Sequence, residues 1–310
     1  MTQTWIVFSA FRPDSDLVDA VRAAAAEVAQ RIVVVDDGSG PDWEPLWAEV
    51  ESVGARVLRA DENSGIGAAL NRGVRHALDA GASAVLTFDQ DSTISPGFVD
   101  ALLRALAEAE RAGVPVAFVV PERFAGVSQV HERDGDVLRT RHSIQSGMLV
   151  PRSTWERVGL LREDLFIDLV DTEFELRCAA AGLVGVAAPG LALGHALGRQ
   201  YARELFGRRI RLPGIPDVVT LSSPFRYYYR VRNRRVINKL YLRSAPGWVL
   251  RDTALEVIHF VNALMLARPR RALFMLYRSG WRDGGRGRGG RMSPELQEVA
   301  AEIVWGAREA

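Results

Sequence analysis

The sequence predicts an α/β fold: a Rossmann-like domain with a mixed, mainly parallel sheet, followed by a basic, mainly helical C-terminal extension. Three observations carry this reading. Over residues 1–120, short β-branched runs alternate with helical stretches, as βαβ units do. Those runs are apolar on consecutive residues rather than alternate ones, the mark of strands covered on both faces. Charge also divides along the chain. Residues 1–195 carry 17 Arg against 29 Asp and Glu, net −12, whereas residues 196–310 carry 22 Arg and Lys against 9 Asp and Glu, net +13.

The elements follow in order. Trp5–Ser9 reads as a strand and Asp16–Gln30 as an Ala-rich helix. Arg31–Val35 is a buried strand stopped by the turn Asp36-Asp37-Gly38-Ser39-Gly40. Trp43–Val53 is a helix, Ala55–Arg59 a strand and Gly67–Ala80 a helix preceded by Asn63-Ser64-Gly65. Ala84–Phe88 is a strand ending on Asp89-Gln90-Asp91. Pro96 opens a helix to about Ala112, and Val116–Val120 is a further strand. Beyond Pro121 the rhythm changes. Ile144–Pro151, Leu165–Ile167 and Val184–Ala188 read as strands around a helix at Asp171–Ala181. Ser293–Glu309 reads as a terminal helix, with Ser293 as cap and Pro294 in its first turn. We divide the chain into a domain at 1–235, with parts 1–120 and 121–235, and an extension at 236–310. The extension contains a Gly/Arg-rich flexible linker at 284–291.

Bulk composition narrows the class. At 48% hydrophobic and 25% charged residues, the chain has the make-up of a globular protein with a sizeable core. Cys178 is the only cysteine, which excludes an internal disulfide framework and fits a reducing, cytoplasmic setting. No signal-peptide pattern opens the chain, and no run of about 18 apolar residues suggests a spanning helix. The basic extension points to an anionic partner. Arg and Tyr together also suit nucleic acid, but the acidic front half would repel a phosphate backbone. Lys239 is the only lysine, so the positive charge is nearly all Arg.

Ligands of open α/β sheets bind beyond the carboxyl ends of the strands. Acidic residues stand at two such ends here: Asp36-Asp37 and Asp89-Gln90-Asp91. Carboxylates at i and i+2 can face one ion, and hard oxygen donors suit Mg²⁺ or Mn²⁺ bridging a diphosphate. The same residues also suit a helix cap or an Asx turn. The first strand lacks the Gly-x-Gly-x-x-Gly turn of a dehydrogenase, having Ala10-Phe11-Arg12-Pro13 instead.

Four segments in order carry a resemblance. Val33-Val34-Val35-Asp36-Asp37-Gly38-Ser39, Asn63-Ser64-Gly65-Ile66-Gly67, Leu86-Thr87-Phe88-Asp89-Gln90-Asp91-Ser92 and the later acidic segment at Asp168–Glu175 resemble family 2 glycosyltransferases of the GT-A fold. The Phe-Asp-Gln-Asp-Ser form is similar to the rhamnosyltransferase branch. The resemblance covers about residues 4–235. It implies a nucleotide-sugar donor, a divalent cation and inverting transfer. Asp37 would accept N3–H of a pyrimidine base, Asp36 would shape the pocket, and Asn63 and Gly65 would let backbone approach the nucleotide. Asp89 and Gln90 would contact the donor, and Asp91, with Asp89, would hold the metal. Asp171 would be the general base. The family more commonly has two adjacent acidic residues where this chain has Val170-Asp171, so Asp168 and Glu173 stay open as alternatives near the acceptor. His195, in Gly194-His195-Ala196-Leu197-Gly198, would be a further metal ligand. Gln145-Ser146-Gly147-Met148 resembles the acceptor-side strand of the family, so this segment, Ser146 and Gly147 included, would line the sugar pocket.

Arg226-Tyr227-Tyr228-Tyr229-Arg230-Val231-Arg232-Asn233-Arg234-Arg235 resembles the Tyr-Tyr-x-x-Arg-Asn segment of bacterial polysaccharide transferases, which implies diphosphate binding by Arg230, Arg232 or Arg234. Trp248–Tyr277 mixes apolar residues with Arg. It reads either as an amphipathic helix at the inner face of a membrane or as a hairpin packed on the domain or on a second subunit, giving a homodimer. The resemblance implies transfer of L-rhamnose from dTDP-L-rhamnose to a saccharide, lipid-linked, in cell-surface polysaccharide synthesis. Two alternatives stay open: a UDP-sugar donor such as UDP-galactofuranose, because thymine and uracil both offer N3–H, and a non-catalytic nucleotide- or glycan-binding module.

Overall fold

The structure is a computed structural model that describes residues 3–194, 200–202, 204–205, 208–209 and 218–306. The chain divides into two compact units, Met1–Glu163 with Val170–Ala196, and Asp164–Leu169 with Leu197–Ala310.

The first unit is built on one mixed sheet. Its strands are β1 (Thr4–Ala10), β2 (Ile32–Asp36), β3 (Arg56–Arg59), β4 (Ala84–Asp89), β5 (Val116–Phe124), β6 (Val127–Ser128), β7 (Val130–Asp134), β8 (Val137–Thr140), β9 (Met148–Pro151) and β10 (Val184–Leu193). The order is β3-β2-β1-β4-β9-β5-β10-β8-β7, with β6 beside β5. Strands β3, β2, β1 and β4 are parallel, while β9 lies antiparallel between β4 and β5. Helices α1 (Asp16–Val28), α2 (Glu44–Ser52), α3 (Ile66–Asp79), α4 (Phe98–Arg111), α5 (Arg152–Val158) and α6 (Val170–Ala180) complete the unit.

The consecutive apolar runs are buried on both faces, as their sequence predicts. Ile6, Phe8, Val34, Leu86 and Phe88 join a core with residues of α1 and α4, where Phe88 stacks on Phe8 at 5.4 Å and meets Phe98 at 5.6 Å. On the other face α3 lies close to the sheet. A Cβ at Gly73 would come within 2.3 Å of Val7, so only glycine permits this approach.

The second unit is helical: α7 (Arg226–Tyr241), α8 (Pro246–Leu266), α9 (Arg270–Arg286) and α10 (Pro294–Ala301). Its centre is aromatic, with Tyr227, Tyr228 and Tyr229 all buried. Phe166 stacks on Tyr229 at 4.9 Å.

Several expectations change. The boundary at 235 falls inside α7, and the compact division lies near residue 197. The Gly/Arg segment 284–291 is no flexible linker. Its first residues are the last turn of α9, and its small residues serve close packing. A Cβ at Gly284 would stand 2.6 Å from the Arg232 carbonyl, and Gly290 N donates to Asp164 O at 2.7 Å. Of the two readings of Trp248–Tyr277, the structure has the two helices of a hairpin, because Pro269 lacks the N–H that a continuous helix needs. The terminal helix stops at Ala301, and Val304–Trp305 pairs with Ala267–Arg268 instead. Leu165–Ile167 is not a strand. A 3₁₀ turn at Glu163–Leu165 leads into Phe166, Asp168 and Leu169, all at positive φ. The hairpin β7–β8 has no counterpart in the predicted elements, since its polar residues hide the alternation; the Asp134-Gly135 turn was its one signal.

The tight α7–α9 approach gives a stability prediction. A Cβ at Gly280 would stand 2.4 Å from the Tyr228 carbonyl. Gly280→Ala should therefore cost about 1–3 kcal/mol, read as a lower denaturant midpoint. An unchanged midpoint would contradict the packing.

Candidate active site

The order β3-β2-β1-β4 reverses beside β1, and at such a reversal the loops leaving adjacent strands part to leave a crevice. The acidic turns predicted from sequence stand at this end of the sheet. Ala10 pairs with Asp36 and Ser9 with Asp89, so the ends of β1, β2 and β4 are level.

Side chains tie these ends together where the sheet ladder stops. Gln90 Oε1 accepts the Phe11 N–H at 2.8 Å, and Ser39 Oγ accepts the Arg12 N–H at 2.8 Å. Asp36 is buried, and its Oδ1 accepts the Ser39 N–H at 2.9 Å. Asp37 reaches further. Its two carboxylate oxygens accept the N–H groups of Ser64 at 2.9 Å and Gly65 at 2.8 Å. Gly65 has φ +93° and stands at the N-terminus of α3. Asp37 thus holds the Asn63–Gly65 loop against the β2 turn. Gly38 permits the contact, since a Cβ there would lie 2.5 Å from the backbone of Glu62. Asn63 Oδ1 is buried without a hydrogen-bond partner beside this loop.

Behind β4 a second layer supports the Asp89-Gln90-Asp91 turn. Gln145 Nε2 donates to Asp89 Oδ1, the Asp89 N–H donates to Ser146 Oγ at 3.1 Å, and Ser146 Oγ pairs with Ser92 Oγ at 2.7 Å. Gly147, at φ +80°, sends its N–H to Thr87 O at 2.7 Å. Ser146 is 0% exposed and Gly147 is packed against Leu193, Phe98 and Pro121. Neither lines a sugar pocket as expected. They are supports for the β4 end, because their polar atoms are turned into the sheet. Gln145, from the same segment, touches Asp89 directly.

The donor set suits a divalent cation. Asp89 and Asp91 supply hard carboxylate oxygens, and Gln145 Oε1 is a buried oxygen with no hydrogen-bond partner among the described residues. Among the described residues, no group of three or more His, Cys, Asp and Glu comes together. His195, the expected third ligand, lies outside the described residues. Its neighbour Gly194 is bridged to Thr93, with the Thr93 N–H donating to Gly194 O at 3.0 Å. Two residues after Asp91, the chain therefore meets the residue before His195.

On α6, Asp171 is in the first turn, and its Oδ1 accepts the Thr172 N–H at 2.7 Å. Glu173 is buried and pairs with Arg177 at 2.9 Å, so it is a packing residue rather than an acceptor contact. Glu175, one turn beyond Asp171, was not foreseen. It is 5% exposed and accepts the Ser143 N–H at 2.9 Å. Burial above all, and then the charge of Asp171, push its carboxyl up to about 7, against the opposing hydrogen bonds from Ser143.

The second unit places three further expected residues. Asp168 receives Arg226 through Nε at 3.1 Å to each oxygen and NH2 at 2.6 Å. Arg232 is buried, and its guanidinium donates to the carbonyls of Asp164, Leu165 and Gly290. Arg230 pairs with Glu256 at 2.6 Å and donates to His259 at 2.9 Å. Burial, then the nearby Arg230 charge, hold His259 down to about 4, so its Nε2 accepts. The predicted diphosphate role of Arg230 and Arg232 is corrected here: both guanidinium groups serve the internal structure of the unit. Asn233 completes it, donating to the carbonyls of Leu165, Ile167 and Asp168 at 2.8–2.9 Å and holding the positive-φ loop.

Comparison with known proteins agrees with this architecture. Residues 14–157 match the model of glycosyl transferase family 2. The dTDP-rhamnosyl transferase RfbF of Shigella flexneri is 28% identical over 244 residues, 74% of this chain and 77% of that protein. Among solved structures, Staphylococcus aureus TarS 1–349 in complex with UDP-GlcNAc superposes with a TM-score of 0.51 at 13% identity, covering 93% of each chain. GalNAc-T7 with UDP, GalNAc and Mn²⁺ gives 0.54 at 13% identity, over 76% of this chain. The match spans about half, 48%, of the GalNAc-T7 chain. The chain is similar to glycosyl transferase family 2 over residues 14–157 and to a dTDP-rhamnosyl transferase over most of its length, which supports a glycosyltransferase, and its α/β fold is GT-A-like.

Glu175 carries a pH prediction. A carboxyl raised from 4.5 to about 7 binds more protons folded than unfolded, so its burial subtracts stability as pH rises through that interval. Glu175→Gln should remove this loss and gain on the parent by about 2–3 kcal/mol at pH 8 relative to pH 5. Urea unfolding of both proteins at the two pH values checks it, and parallel behaviour would contradict it.

Proposed function

We propose that the chain transfers L-rhamnose from dTDP-L-rhamnose, with inversion, to a hydroxyl of a lipid-linked saccharide in cell-surface polysaccharide synthesis at the inner face of the membrane. The observation that carries the reading is that Asp36 and Asp89 end β2 and β4 level with the end of β1, so that Asp37 and Asp91 follow in the turns at the same end of the sheet. The similarity to a dTDP-rhamnosyl transferase supports the choice of sugar.

In this reading, Asp37 accepts N3–H of the pyrimidine. Each carboxylate oxygen has two acceptor positions, so the base contact is compatible with the bonds to Ser64 and Gly65. Asp91 and Asp89, with His195, would hold Mg²⁺ or Mn²⁺, which would supply positive charge against the nucleotide diphosphate. Gln145 and Ser146 keep Asp89 in place. Asp171 takes the proton of the acceptor hydroxyl as its oxygen bonds to the anomeric carbon, and the bond from that carbon to the nucleotide diphosphate breaks. Direct displacement inverts the centre and needs no covalent enzyme intermediate.

A UDP-sugar donor is the second reading, favoured by the UDP-GlcNAc complex of TarS. Calorimetric titration of dTDP, UDP and GDP, with and without Mn²⁺, separates the two. Metal-dependent preference for dTDP is expected. Preference for UDP would move the donor, and no metal-dependent binding would favour a non-catalytic module. Asp171→Asn should bind the donor nucleotide like the parent and turn over about 10²–10⁴-fold more slowly. Parent-like turnover would remove Asp171 as the base.

A further inference from the structure

Helix α8 carries apolar residues on its outward face as well as its inward one. Its inward face mixes buried Val249, Ala263 and Leu266 with polar residues: Asp252 lies 3.9 Å from Arg234 and accepts the Trp248 indole N–H at 2.6 Å, Glu256 pairs with Arg230 at 2.6 Å, and His259 meets the Tyr227 hydroxyl at 3.0 Å. Its outward face is apolar. Leu250, Ala254, Val257, Ile258 and Val261 recur at helical spacing on one stripe, all exposed, with Leu250 at 62% and Ile258 at 59%. Surface helices place the apolar stripe against the protein, so this arrangement calls for an apolar neighbour outside the unit.

Charge on the same helical segment identifies that neighbour. Every Lys and Arg from Lys239 to Arg286 is exposed. The acidic residues of that stretch, Asp252, Glu256 and Asp283, are buried or ion-paired within the unit. The outward charge is therefore of one sign. On α9, exposed Phe274, Met275 and Trp281 alternate with exposed Arg271, Arg278 and Arg282. Aromatic rings and Arg side by side suit the headgroup level of a bilayer, where rings and methylene stems enter the apolar layer while guanidinium groups stay among phosphates. A second copy of the chain would bring the same positive charges together. No described helix is long and apolar enough to cross a membrane.

We propose that α8 and α9 form a docking face for an anionic phospholipid surface, with the α8 stripe entering the acyl boundary and the Arg residues binding lipid phosphates. This deepens the reading of a lipid-linked acceptor, but its evidence is separate from the donor site.

The test is sedimentation of the full chain with vesicles of phosphatidylcholine alone or mixed with phosphatidylglycerol. Binding to the anionic vesicles, weakened by salt, is expected. The double variant Val257→Glu and Ile258→Glu, at exposed positions, should lower that binding about tenfold or more, while its unfolding midpoint and its nucleotide binding without vesicles stay at parent values. Arg271→Gln with Arg278→Gln should weaken binding to anionic vesicles only. No binding at any composition, or equal binding by the variants, would overturn the proposal. So would light scattering that shows a stable dimer broken by the Glu variant, which would make the face a subunit contact. Failure of the donor reading would appear separately, in the nucleotide titration.

Discussion

The site depends on one electrostatic arrangement: a buried carboxylate, Asp37, held by two backbone N–H groups at the start of α3. Parallel strands end at different loops, and nothing in the sheet ladder fixes those loops to each other. Asp37 fixes the loop before α3 to the turn after β2, while Gln90 and Ser39 fix the chain leaving β1. A carboxylate is suited to this task because charge-assisted bonds to N–H groups are stronger than neutral ones. The glycines at 38 and 65 are part of the same arrangement, one for close approach and one for its positive φ.

A second support stands behind the Asp89–Asp91 turn. Ser146 and Gln145 hold Asp89, and Thr93 binds the backbone at Gly194, which leads toward His195. These contacts join β4 to the chain around β9 and β10. The crevice is thereby bounded by segments distant in sequence, which is how a fixed oxygen donor set can be kept at a solvent-facing sheet edge.

Much of this was legible in the sequence. The consecutive apolar runs gave the parallel strands, and the acidic turns stand at the carboxyl ends of β2 and β4, as their place after those runs predicts. Orientation was less legible. Ser146, Glu173 and Arg232 were expected near ligands, yet each points inward to a partner that lies far along the chain. A residue's type shows what it can bond, but its partner depends on packing. Residue 284 and its neighbours read as a flexible linker by composition, whereas their small size is what lets α9 lie against α7. The inward polar residues of α8 were hidden for the same reason: its Asp, Glu and His are matched by Arg and Tyr of α7.

The central claim is that nucleotide and metal meet at the ends of β2 and β4. The most direct measurement is anomalous diffraction at the manganese edge from crystals grown with dTDP and Mn²⁺. The account predicts one strong anomalous peak at coordinating distance from an Asp91 oxygen, with the pyrimidine N3 hydrogen-bonded to Asp37. A metal peak remote from Asp89 and Asp91, or a base bound without Asp37, would contradict it.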